Sequence, residues 1–203
     1  MDQRQLARTL MPVGEYPKDE IRQMAEDAGL IVAAKPDSQD ICFIPLRDYK
    51  SFLKQRLETN PGDIVELDGT VVGHHEGIEY FTIGQRRGLG IAQGEPRFVV
   101  RLEPESSRVV IGPEESLMRD EMYVSDVNYS LGTAPQGPVE VDVKIRYKSN
   151  EAAAVLQPSG CGAVVRFSQP QRSVTPGQAA VFYQGDVLVG GGTIEPSVQP
   201  EAL

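Results

Sequence analysis

Residues Val139–Tyr147 read "VEVDVKIRY". In an extended chain, successive side chains point to opposite faces. Val139, Val141, Val143 and Ile145 therefore share one face, and Glu140, Asp142, Lys144 and Arg146 share the other. Every apolar position is β-branched, which suits a pleated surface. One dry face and one wet face describe a strand of an antiparallel sheet packed on one side. Downstream, "CGAVVRFS" (161–168) and "QAAVFYQGDVLVGGGTI" (178–194) are further short apolar runs punctuated by Gly and Pro. Short strands at this spacing predict a closed or nearly closed antiparallel barrel from about Glu121 onward.

The stretch before the barrel is also β in character. "DIVELDGTVVGHH" (63–75) places Asp68-Gly69 between two apolar runs, a strong local hairpin signal. "PRFVVRLEPESSRVVIG" (96–112) reads as a second hairpin with Glu103 to Ser107 at its tip. Helical spacing is confined to the beginning. In "YPKDEIRQMAEDAGL", Ile21, Met24, Ala25 and Ala28 recur at helical intervals. Pro17 suits the first turn, Asp19 and Glu20 suit the positive end of the dipole, and Gly29 offers a stop. A second helix is predicted across "RDYKSFLKQRLE" (47–58), with Asp48 near its start. The expected fold is mainly β with a short N-terminal α segment. Residues 1–59 form the helical segment, 60–120 a small central β domain and 121–203 the barrel.

Composition bounds the function. The 203 residues carry a formal net charge of −9, which excludes a whole-surface nucleic-acid binder but permits a local basic patch. No apolar run is long enough to span a bilayer and the opening residues do not form a signal peptide, so the default expectation is cytoplasmic with no membrane partner. The two cysteines, Cys42 and Cys161, match no zinc spacing, and no structural disulfide between them is expected in a reducing compartment. His74 and His75 are adjacent in a predicted strand, so they point to opposite faces and are poorly placed to share a metal; no metal site is expected.

Three features hold candidate chemistry. In "YFTIGQRRGLGI" (80–91), glycines surround Arg86 and Arg87, whose donors suit phosphate oxygens, an arrangement equally consistent with a solvated turn and a nucleic-acid contact. Cys161 lies between glycines at the start of a β run and reads as a small, buried or half-buried residue. Cys42 lies in "KPDSQDICFIP" (35–45), between the two helices, with Lys35 and Arg47 flanking the segment and Asp37 and Asp40 opposing them. Its thiol is either a buried strand residue or a reactive group favoured by nearby positive charge.

Taken in order, "KPDSQDICFIP", "GTVVGHHEGIEYFTIGQRRGLGI", "KIRY" and "VTPGQAAVFYQGDVLVGGGTI" closely resemble the tRNA-specific 2-thiouridylases (MnmA). The resemblance runs from about Gln5 to Ile194 and is to the C-terminal portion of that family. It implies a tRNA-uridine 2-sulfurtransferase that uses ATP with Mg2+ and a cysteine persulfide to thiolate C2 of the wobble uridine. The family's N-terminal Ser-Gly-Gly-Val-Asp-Ser phosphate loop and first catalytic cysteine have no counterpart here. By the same resemblance Cys42 matches the persulfide-carrying catalytic cysteine, and Arg146, Tyr147 and Gln178 match tRNA contacts. The implied partners are tRNA and a sulfur-relay protein or cysteine desulfurase. The isolated chain is expected to be inactive. The alternative is a non-catalytic module that binds tRNA or a sulfur-relay protein.

Overall fold

The computed structural model describes residues 3–36, 44, 49–91, 94–147 and 149–196. It divides into two units, Gln3–Glu58 and Thr59–Leu203. The first unit contains the helices α1 (Gln3–Leu6), α2 (Lys18–Asp27) and α3 (Tyr49–Lys54). Pro17 stands just before α2 as its N-cap, with extended backbone, one position earlier than the first-turn placement. Asp19 and Glu20 do occupy that first turn, where the helix dipole favours them. At the other end Gly29 takes a left-handed conformation with φ +68°. Its N–H donates to the Glu26 carbonyl at 2.8 Å, and the Leu30 N–H donates to that of Ala25 at 2.9 Å. This paired closure satisfies carbonyls that the helix end would leave open. The predicted second helix is shorter than its sequence pattern: α3 ends at Lys54, and the Arg56 guanidinium sits 3.9 Å over the Phe52 ring.

The second unit begins with a four-stranded mixed sheet in the order β2-β1-β4-β3. Its strands are β1 (Gly62–Val65), β2 (Val71–His75), β3 (Phe98–Glu103) and β4 (Arg108–Gly112). β1 and β2 form the hairpin around Asp68-Gly69. Gly69 supplies φ +86°, and the Asp68 carboxylate accepts the Thr70 N–H at 2.9 Å. That bond holds the Asp68 carboxyl below the usual range. β3 and β4 form the second hairpin, and parallel pairing of β1 with β4 joins the two. Ile64, Val99, Val109 and Ile111 are fully buried there, packed with Leu89.

Six strands follow: β5 (Met118–Tyr129), β6 (Val139–Lys144), β7 (Ala152–Ser159), β8 (Gly162–Arg172), β9 (Ala179–Gln184) and β10 (Val187–Ile194). They close into an antiparallel barrel in the order β10-β5-β8-β7-β6-β9. The fold is mainly β, as the strand pattern predicts. Val141, Val143 and Ile145 point inward and pack with Leu156, Val165, Phe182 and Ile194. Closure needs the glycines of β10. A Cβ on Gly190 would lie 2.6 Å from the Asn128 carbonyl oxygen, and one on Gly191 2.8 Å from that of Ala180. Here β10 approaches both neighbouring backbones too closely for any side chain.

Candidate nucleic-acid interface

β6 stops at Lys144, so Arg146 and Tyr147 lie on the turn beyond it and are not bound by strand alternation. Ile145 is the last buried residue of the run. The Arg146 guanidinium reaches across the barrel end to the start of the β8–β9 loop. It donates to the Arg172 carbonyl at 2.8 Å and also to the Ser173 carbonyl. The Arg146 carbonyl in turn accepts the Ser149 hydroxyl at 2.9 Å, which tightens the turn. Tyr147 is left 92% exposed, its ring available to a partner.

Ser173 is the hub of this end of the barrel. It is buried and takes a left-handed φ of +53°. Its N–H donates to the Leu117 carbonyl at 2.9 Å, and its own carbonyl accepts the Thr175 hydroxyl at 3.0 Å besides Arg146. The loop ends at Gln178, which is exposed and whose carbonyl accepts the Ile194 N–H at 2.8 Å. Arg146 is thus fastened to the loop that carries Gln178, and Tyr147 projects beside that tie. Sequence reasoning did not single out Ser173. The one signal available was the Pro-Gly turn composition of "SVTPGQ" between two strands.

Between the sheet and this barrel end lies a groove of about 580 Å³. Phe81, Ile83, Leu102, Met122, Val174 and Pro176 give it an apolar floor. Arg172 spans the same seam: it meets the Glu114 carboxylate at 3.0 Å and lies 5.0 Å over the Phe98 ring. Arg119, which also lines the groove, donates to the carbonyls of Ser116 and Met118.

The remaining candidates are dispersed. Arg86 and Arg87 are exposed on the loop before β3. His74 is exposed and meets Asp63 at 2.8 Å, whereas His75 is buried and donates from Nε2 to the Ser107 carbonyl at 3.0 Å. They face opposite sides, as strand alternation requires. Among the described residues no three His, Cys, Asp or Glu side chains converge on a metal-sized site. Cys161 is exposed rather than buried or half-buried, and its thiol is free. Cys42 lies outside the described residues. Among the described residues, no helix is long and apolar enough to cross a membrane.

Comparison with known proteins accounts for nearly the whole chain. Residues 1–46 match the tRNA methyl transferase HUP domain model. Residues 50–113 match the tRNA methyl transferase PRC-barrel domain, and residues 119–194 match the aminomethyltransferase beta-barrel domain. The tRNA-specific 2-thiouridylase MnmA of Pelotomaculum thermopropionicum is 48% identical over 197 residues, which cover 96% of this chain and 54% of that protein. The same-named protein of Heliobacterium modesticaldum is 48% identical over 199 residues, covering 96% of this chain and 52% of that protein. That of Moorella thermoacetica is 48% identical over 200 residues, covering 97% and 56% respectively. The chain spans about half the length of the curated relatives it matches.

Proposed function

Since this chain belongs to the tRNA-specific 2-thiouridylase family, we propose that it forms the C-terminal part of a tRNA-uridine 2-sulfurtransferase. The whole enzyme replaces the C2 oxygen of the wobble uridine of tRNA by sulfur. The observation that carries this reading is the continuous likeness, at 45–48% identity, across about 96% of the chain. The match of residues 1–46 to a HUP domain favours the catalytic reading over a stand-alone binding module.

Within that enzyme the barrel end holds RNA. Tyr147 offers an exposed ring for stacking on an unpaired base, the common way single-stranded loops are held. Gln178 offers an amide at the edge of the same surface. Arg146 keeps the two loops in register and retains donors for a phosphate. Cys42 takes up sulfur: its thiolate attacks the outer sulfur of a donor persulfide, a new S–S bond forms, and the donor cysteine leaves as a thiolate. The donor is a sulfur-relay protein or cysteine desulfurase. ATP activates the C2 oxygen as a leaving group in the full-length enzyme. The glycine-rich segment at 84–90 is not a nucleotide phosphate loop, because it follows no strand and opens no helix. The 203 residues alone should therefore bind RNA without thiolating it, in a cytoplasmic setting.

The test is sulfur loading. The chain is incubated with a cysteine desulfurase and cysteine, and its peptides are then weighed without reduction. One added sulfur on the peptide bearing Cys42, and none on that bearing Cys161, supports the assignment. Loading of Cys161 alone would overturn it.

A further inference from the structure

The loop from Ile83 to Leu89 is anchored at both ends and offers two charges between. At its start the Gly84 N–H donates to the Val99 carbonyl at 2.7 Å, and the Val99 N–H returns to the Gln85 carbonyl at 2.9 Å. These bonds fix the loop to β3. The Gln85 side chain then spans the loop: its oxygen accepts the Thr82 N–H at 3.1 Å, and its amide donates to the Arg87 carbonyl at 2.9 Å. At the far end Leu89 is buried in the sheet core. Gly84 and Gly88, at φ +86° and +75°, supply the backbone reversals around the arginines.

Six other arginines of this unit are already engaged. Arg97, Arg101, Arg166 and Arg172 each meet a carboxylate. Arg119 and Arg146 donate to carbonyls. The guanidiniums of Arg86 and Arg87 are exposed and form no hydrogen bond or ion pair with the described residues. In a chain of net charge −9, two adjacent guanidiniums on a fastened loop concentrate positive charge locally.

The loop also touches the barrel. Gly84 lies so close to Ser173 that a Cβ there would come within 2.7 Å of the serine hydroxyl. Ser173 is the residue whose carbonyl holds Arg146. The arginine loop and the surface bearing Tyr147 and Gln178 are thus adjacent through one buried serine.

We infer that Arg86 and Arg87 bind the phosphate backbone of the tRNA, extending the barrel-end interface onto the central sheet. This rests on the tRNA reading above. Each guanidinium takes one backbone phosphate without reading sequence.

The experiment is filter binding of the 203-residue chain to an unmodified tRNA transcript over a range of salt concentrations. Arg86→Gln and Arg87→Gln are compared with the parent and with Arg108→Gln. Arg108 is an exposed arginine whose charge acts on the Glu103 carboxylate. Each loop variant should bind about threefold to tenfold more weakly at low salt and lower the salt slope by about 0.7–0.9. Arg108→Gln should change neither, and Arg87→Lys should keep most of the slope. If the parent binds but the loop variants match it, the phosphate site is wrong and the tRNA reading stands. If the parent fails to bind at any salt, the tRNA reading falls and the site with it. Inorganic tripolyphosphate is added at constant ionic strength to separate an extended backbone from a compact polyphosphate. Failure to displace the tRNA supports the backbone assignment, and displacement at equimolar concentration overturns it.

Discussion

Arg146 and Ser173 are bound side chain to backbone across the end of the barrel, 27 residues apart in sequence. The bond joins the turn after β6 to the loop between β8 and β9, so an arginine expected only to contact RNA also sets the geometry of its neighbours. A charged donor on two carbonyls is worth about 1–3 kcal/mol where shielded and less at an exposed site. Arg146→Ala should therefore lower stability by about 1 kcal/mol, read as an earlier urea midpoint at unchanged m-value. It should also weaken tRNA binding with a salt-slope change of less than about one unit, because part of the guanidinium is spent on carbonyls. Arg146→Lys should recover charge but not the paired carbonyl contact, leaving the midpoint low. Unchanged affinity and slope for Arg146→Ala would remove it from the RNA interface.

Gly84 tests the join between the sheet and the barrel. Its φ of +86° disfavours any side chain, and an added Cβ would lie 2.7 Å from the Ser173 hydroxyl and 3.1 Å from its Cβ. Gly84→Ala should cost about 1–3 kcal/mol through backbone strain and the displaced serine. Gly132, at φ +78° with open space around it, isolates the first cause. Gly132→Ala should cost roughly 1 kcal/mol, and the excess at Gly84 measures the contact. Equal losses at the two sites would show that the Gly84–Ser173 approach contributes nothing.

Much of this architecture was legible in the sequence, and the exceptions share a cause. The faces of β6, the Asp68-Gly69 turn and the α2 stop at Gly29 follow from local chemistry that no distant partner has to supply. β7 gave no signal: "AAAVLQPS" is rich in alanine and includes Pro158, so its strand character comes from pairing with β6 on one side and β8 on the other. β5 was obscured by Arg119, Asp120 and Glu121, which break the apolar alternation near its start. The parallel β1–β4 pairing joins residues 45 positions apart, Ile64 and Val109, beyond the reach of any hairpin signal. At the site, Arg146, Tyr147 and Gln178 were named by resemblance and not by pattern. Ser173 had only the turn composition of its loop as a signal, because a left-handed buried serine is fixed by what surrounds it.

Acid stability should depend on Glu103. Its carboxylate accepts Arg101 at 2.6 Å and the Ser106 hydroxyl at 3.1 Å, and the Arg101 bond foremost holds its pKa below the usual carboxylate value. A depressed folded-state pKa means that the unfolded chain binds the proton first as pH falls. The contribution is therefore fully present above the unfolded carboxylate value and is lost as pH falls through the lower folded one. Glu103→Gln should reduce stability modestly at pH 7, since both partners are partly exposed, and should flatten the fall below about pH 4.5. Urea midpoints of the two proteins at a series of pH values check this. Parallel curves would mean that the Arg101 pair does not survive in solution.

The two cysteines separate chemistry from packing. Cys42 stands in the "KPDSQDICFIP" segment and Cys161 on an exposed turn between β7 and β8. Exposure makes the Cys161 thiol accessible, and access is one of the two requirements for nucleophilic attack. Sulfur transfer asks for more: the cysteine must hold a persulfide and meet the base. The proposed role therefore predicts opposite outcomes for two chemically identical substitutions. In a full-length enzyme containing this chain, Cys42→Ser should abolish thiolation of tRNA while leaving tRNA affinity nearly unchanged, since an oxygen cannot carry the sulfane sulfur. Cys161→Ser should keep most of the activity. Both are read from the fraction of 2-thiouridine in digested tRNA, with affinity measured in parallel. Full activity of Cys42→Ser would make that thiol structural. Loss of activity only in Cys161→Ser would transfer the sulfur-carrying role to the barrel.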